Sequence, residues 1–206
     1  MVDPVRVAVL ISGRGSNMRA LSEYRRRDPD RAYRIVLVAS NVPEARGLVL
    51  AKRYGFKTWA LSHKGIARAD FDALLDEALR AHNIELIALA GYMRLLSPEF
   101  VARWPGRILN IHPSLLPLYK GLDTHRRAIL AGEEYAGCSV HVVTDDLDSG
   151  PVIAQAQVRI LPRDGADSLA ERVLEAEHAL YPAALDEYAR AMREDEAPIL
   201  SATDEG

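Results

Sequence analysis

Short apolar runs alternate with amphipathic stretches along most of the chain, and the two periods separate strands from helices. Residues 5–11, 35–39, 57–61, 85–90 and 107–111 are brief and apolar, the pattern of strands buried in a sheet. Between them, 17–24, 45–54, 69–82 and 98–103 carry helix formers with apolar positions three and four apart, as in Phe71, Leu74, Leu75, Ala78 and Leu79. This βαβα order predicts an α/β fold with a mostly parallel central sheet, which binds ligands beyond the carboxyl ends of its strands. After about Ala131 the pattern changes. Residues 138–144 and 152–160 alternate with period two and predict a hairpin-like antiparallel pair, joined by an acidic loop. A long helix over 168–191, opened by Asp167 or Ser168, and a polar, frayed end from Arg193 complete the reading. Without a repeat, linker or low-complexity tract, the sequence predicts one domain over 1–192. Its N-terminal half is 1–105, its C-terminal half with the antiparallel extension 106–192, and a polar tail follows over 193–206.

Composition narrows the classes. A chain of 206 residues is long enough to bury a core and enclose a small molecule. Its 26 Lys and Arg against 29 Asp and Glu give a net charge of -3, no field for a polyanion, so nucleic acid is not an expected partner. The single cysteine, Cys138, allows no internal disulfide and fits a reducing, cytoplasmic setting. No stretch approaches the roughly 18 to 20 apolar residues of a membrane span. The first apolar run stops at Ser12 and Gly13, short of a secretory signal, and the expectation is a protein off the membrane.

Two places carry candidate chemistry. Ser12-Gly13-Arg14-Gly15-Ser16-Asn17 follows the first strand and opens the first helix, where free N–H groups and the helix dipole favour an anion. Glycines allow a tight turn and close approach, and Ser16 and Asn17 offer donors or a helix cap. Met18 stands where a dinucleotide fingerprint has its third glycine, and Ser40-Asn41 ends the second strand where that class places an acid, so one phosphate fits better than a pyrophosphate. An ordinary glycine turn is the plain alternative. The second place is Asn110 and His112, two apart on the fifth strand and therefore on one face at its carboxyl end. An amide and an imidazole there suit an oxyanion formed in acyl transfer, or else bond only to neighbouring loops. Asp148, beside Asp145 and Asp146, supplies a carboxylate that can hold a histidine charged and relay a proton, unless the loop is simply a solvated turn. Neither calcium-loop spacing nor a Cys and His cluster points to a metal.

Taken together these stretches resemble the phosphoribosylglycinamide formyltransferase family from Val7 to about Tyr181. The resemblance rests on residues 11–17, 90–97 (AGYMRLLS), 109–117 (LNIHPSLLP) and 139–151 (SVHVVTDDLDSGP), in matching order and spacing. It implies a Rossmann-like formyltransferase fold and transfer of a formyl group from 10-formyltetrahydrofolate, as cosubstrate, to the amine of glycinamide ribonucleotide in purine (IMP) biosynthesis, without a covalent enzyme intermediate. It implies that Gly15, Ser16 and Asn17 hold the ribose phosphate and that Glu177 contacts the ribonucleotide. Asn110, His112 and Asp148 form the catalytic set, Asp148 keeping His112 protonated against the oxyanion and a water carrying the proton to the folate. The folate region corresponds to Met93, Arg94, Leu95 and Leu96 with Val143, Asp145, Asn110 and Asp148, and Arg68 aligns with an arginine near the phosphate or the folate tail. His178 and Tyr181 then pack the last helix, and Cys138 is a packing residue. Leu118, Lys120 and Asp123 depart from the family's usual Lys, Pro and His, which predicts a looser turn beside the site with an altered pH response. Hydrolysis of 10-formyltetrahydrofolate is the rival within the same chemistry, although the hydrolases usually carry a further N-terminal domain. A non-catalytic nucleotide-binding module has no use for the Asn, His and Asp set. The sequence leaves oligomeric state open, a homodimer included.

Overall fold

The computed structural model describes residues 3–194. Its elements run β1 (Val5–Ile11), α1 (Ser16–Arg27), β2 (Tyr33–Ser40), α2 (Arg46–Arg53), β3 (Lys57–Ala60), α3 (Arg68–Ala81), β4 (Leu86–Leu89), α4 (Pro98–Arg103), β5 (Ile108–His112), α5 (Thr124–Leu130), β6 (Tyr135–Val142), β7 (Val152–Arg159) and α6 (Ala166–Arg193). One seven-stranded sheet has the order β3-β2-β1-β4-β5-β6-β7. The first five are parallel neighbours, and β6 and β7 extend the sheet antiparallel. The α/β fold with its antiparallel C-terminal strands is the one the sequence predicts.

Strand alternation builds the two layers. On β1, Val5, Val7, Val9 and Ile11 enter the core under α1, α2 and α6, while Ala8 and Leu10 enter the opposite core with Phe71, Leu75 and Leu79 of α3 and Phe100 of α4. Each fully buried aliphatic side chain contributes about 1.5–3 kcal/mol, so β1, buried on both faces, anchors the sheet. The α6 helix lays Leu169, Val173, Tyr181, Leu185 and Ala189 along the first core. The Tyr181 hydroxyl lies 3.1 Å from the carbonyls of both Leu89 and Leu109, fixing α6 over β4 and β5.

Two local expectations are corrected, and one element is new. The α6 helix begins at Ala166 after Gly165, and Ser168 sits in its first turn with Oγ accepting the Gly165 N–H at 3.1 Å. At the other end Arg193 is helical, its guanidinium holding Glu85 at 2.7 Å and 2.8 Å and the Asp3 carbonyl at 2.7 Å, so the polar tail does not begin there. Residues 195–206 lie outside the described range. The seven-residue α5 was not foreseen, since Thr124–Leu130 is too short for a clear helical period. Among the described residues no helix is long and apolar enough to cross a membrane.

Candidate active site

The β1 strand ends in a turn whose backbone only glycine tolerates. Gly15 has φ 76° and stands as the residue before α1, with no side chain capping the helix, so the expected cap by Ser16 or Asn17 is not formed. The first-turn N–H groups therefore have no intrahelical or side-chain acceptor. A Cβ on Gly15 would come 2.9 Å from the Cα of Gly47, and one on Gly47 would meet Ile11 Cδ1 at 2.5 Å and the Gly13 carbonyl at 3.1 Å. Gly47, in the first turn of α2, is thus the floor of the loop, and its N–H donates to the Gly13 carbonyl at 2.9 Å. Only contact between two segments 32 positions apart reveals it, and no local motif does.

Asn17 and Glu177 meet at the start of α1, Nδ2 donating to Oε2 at 2.7 Å. One amide N–H is thereby given to the carboxylate, and Asn17 also presents its main-chain N–H at the helix start. Burial raises the Glu177 carboxyl above its ordinary value, and the Asn17 bond only partly offsets this.

At the carboxyl end of β5, Asn110 is registered opposite His141 and His112 opposite Ser139. The Asn110 Nδ2 lies 3.1 Å from His141 Nε2. Asp148 reaches both histidines, with Oδ2 at 3.3 Å from His112 Nδ1 and Oδ1 at 3.6 Å from His141 Nε2. Its backbone is left-handed at φ 48°, a conformation that bends the loop so the carboxylate turns inward. Asn110, His112 and Asp148 are therefore brought together, and His141, inside a matched motif but without an assigned role, joins them. His125 of α5 is a second unassigned neighbour, its pKa lowered by burial and then by His112.

His112 is 5% exposed and its other nitrogen, Nε2, lies 3.1 Å from the Tyr119 carbonyl. Oxygens at both ring nitrogens suit the imidazolium, but burial opposes the charge more strongly than the Tyr119 carbonyl and Asp148 support it, and the pKa falls below its ordinary value. Burial thus works against the charge that Asp148 supports on His112. Burial also opposes ionisation of Asp148, yet His141, the Gly121 N–H and His112 hold its carboxyl below the usual range.

The departing loop is tied down. Gly121 N–H donates to Asp148 Oδ2 at 2.9 Å, Lys120 Nζ reaches Ser149 Oγ at 2.7 Å, and Arg127 donates to the Lys120 carbonyl at 2.6 Å. Lys120, one of the residues that depart from the resemblance, thus joins the 118–123 turn to the loop that carries Asp148.

The segment after β4 is open, with Met93 68% and Leu95 52% exposed. Arg94 lies over the Phe71 ring at 5.0 Å, and Leu96 and Val143 pack on the second core. Val143 is also held to β5, its N–H donating to the Ile108 carbonyl at 2.8 Å. Arg68 is exposed at the first residue of α3, its charge acting with that of Arg94 on buried Asp72. Asp145 is exposed in the 143–151 loop without a described contact to the histidines. Cys138 is fully buried, and burial pushes its thiol up to about 12, so it is no nucleophile at neutral pH.

An uncapped helix N-terminus after β1, an exposed segment after β4, and an amide with two histidines and a carboxylate at the end of β5 stand at the carboxyl ends of neighbouring strands, the arrangement of a group-transfer enzyme on an α/β sheet. The chain belongs to the formyl transferase family, which matches residues 5–185. It is 42% identical over 186 residues to the phosphoribosylglycinamide formyltransferase of Escherichia coli strain K12, covering 90% of this chain and 87% of that protein. Over 182 residues it is 48% identical to the trifunctional purine biosynthetic protein adenosine-3 of Drosophila melanogaster, covering 87% of this chain. The chain spans only 14% of that longer relative. Among solved structures, phosphoribosylglycinamide formyltransferase from Brucella melitensis superposes with a TM-score of 0.86 at 48% identity, over 91% of this chain and 96% of that one.

Proposed function

We propose that this chain is a phosphoribosylglycinamide formyltransferase, moving the formyl group of 10-formyltetrahydrofolate to the amino group of N1-(5-phospho-D-ribosyl)glycinamide in purine (IMP) biosynthesis. The observation that carries this reading is the convergence of Asn110, His112 and Asp148, on the same sheet edge as an uncapped helix N-terminus. The N–H groups of Gly15, Ser16 and Asn17 hold the ribose phosphate, and Glu177 meets the ribonucleotide. The 93–96 segment with Val143, Asp145 and Asp148 receives the folate, and Arg68 meets an anionic part of one of the two substrates. As the amine attacks the formyl carbon, negative charge develops on the formyl oxygen. Asn110 donates to that oxygen through its second Nδ2 hydrogen and His112 through Nε2–H, which exchanges the Tyr119 carbonyl for the oxyanion, and the growing charge supplies what burial withholds, favouring the protonated ring. Asp148 balances this imidazolium and takes part in moving the amine's proton towards the departing folate nitrogen. The amine attacks directly, and no side chain need be acylated.

The test is Asp148→Asn. Turnover is expected to fall by about 10² to 10⁴, the usual worth of a positioned acid or base, with ribonucleotide binding nearly unchanged. Formyl loss by the unaltered protein at the same rate without ribonucleotide would instead assign hydrolysis, and no loss under either condition would sink the catalytic reading.

A further inference from the structure

We propose that Ser12, which opens the phosphate loop, is a positioning residue for the folate slot. This rests on the reading of the 93–96 segment as that slot. Exposed Met93 and Leu95 give the segment little burial, so main-chain anchors decide where its backbone groups lie. Two of those anchors are on Ser12. Its N–H donates to the Gly91 carbonyl at 3.1 Å, and its Oγ accepts the Met93 N–H at 2.7 Å. A hydroxyl has one proton, and that of Ser12 is committed to Asn41 Oδ1 at 2.6 Å, which leaves a lone pair facing Met93. Asn41 is itself 2% exposed and held by His63, whose Nδ1 lies 3.1 Å from the amide nitrogen. The far end of the segment is fixed separately, with the Ser97 N–H donating to Asp72 Oδ2 at 2.6 Å.

Ser12 is therefore covalently part of the turn that cradles the phosphate and hydrogen-bonded into the turn that receives the folate. Ser40-Asn41, which stands where a dinucleotide enzyme would place its ribose-binding acid, acquires a purpose in this arrangement: Asn41 orients the serine hydroxyl.

The experiment measures tetrahydrofolate affinity by calorimetry and the KM for each substrate in the unaltered protein, Ser12→Ala, Ser12→Thr, Asn41→Ala and the Ser12→Ala/Asn41→Ala pair. Loss of one well-placed hydrogen bond predicts that Ser12→Ala weakens tetrahydrofolate binding and raises the formylfolate KM by about tenfold. The change in kcat and in ribonucleotide KM is expected to be much smaller, and Ser12→Thr, which keeps the hydroxyl, should restore affinity. Because Asn41 acts through Ser12, the double variant should be no worse than Ser12→Ala. Should Ser12→Ala not fold, Asn41→Ala gives the same test with the hydroxyl in place. Unchanged folate affinity, or equal losses for both substrates, overturns the proposal. Failure of the unaltered protein to bind tetrahydrofolate at all overturns the functional reading itself and this proposal with it.

Discussion

Asn110 and His141 face one another across the antiparallel β5 and β6 pair, Nδ2 to Nε2 at 3.1 Å, and the same imidazole nitrogen lies 3.6 Å from Asp148. With Nδ1 donating to the Val142 carbonyl at 3.0 Å, the neutral His141 ring accepts from the Asn110 amide at Nε2 and orients that amide, while Asp148 lies beside the same nitrogen without sharing its hydrogen bond. His141 lies 2% exposed within the sheet, so little else can take its place.

His141→Ala should consequently lower kcat by about ten- to a hundredfold, the scale expected when a reacting group is misplaced by an ångström. Both substrates should still bind. Steady-state kinetics with separate Kd measurements checks this, and an unaltered kcat would show that Asn110 holds its place alone.

Glu177 is expected to trade stability for binding. Its folded carboxyl titrates above the ordinary value because of burial, so the folded chain keeps a proton that the unfolded chain has lost. Stability therefore falls as pH rises from the ordinary carboxylate value through the raised folded one. Glu177→Gln retains an acceptor for the Asn17 amide and cannot ionise. Its Tm should exceed that of the unaltered protein at about pH 8, with the difference closing near about pH 4, while ribonucleotide affinity falls. Calorimetric melts at both pH values test the sign.

Gly47 makes no contact with His112 or His141 among the described interactions, yet a methyl group there must displace Ile11 Cδ1 or the Gly13 carbonyl. Gly47→Ala should cost about 1–3 kcal/mol as an overpacked position and raise the ribonucleotide KM more than the formylfolate KM. Equal KM values with an unchanged Tm would show that the phosphate loop yields freely.

Much of this protein could be read locally. The β1 alternation of Val5, Val7, Val9 and Ile11 with Ala8 and Leu10 assigns each side chain to one of two cores, because a strand's period needs no knowledge of its neighbours. Asn110 and His112 share a face for the same reason, and the glycine loop leads into α1 because Gly13 and Gly15 disfavour helix. The resemblance to a known family then supplied roles for residues far apart.

What depended on the tertiary structure was every relation between distant segments. The pairing of β5 with β6 places His141 against Asn110, the crossing of α1 and α6 joins Asn17 to Glu177, and Gly47 becomes indispensable only where α2 meets the first loop. The ionisation of His112 belongs to the same set, since burial is the sum of everything packed around the ring. Periodicity is a property of consecutive residues and survives in the sequence; proximity and desolvation are properties of the folded whole.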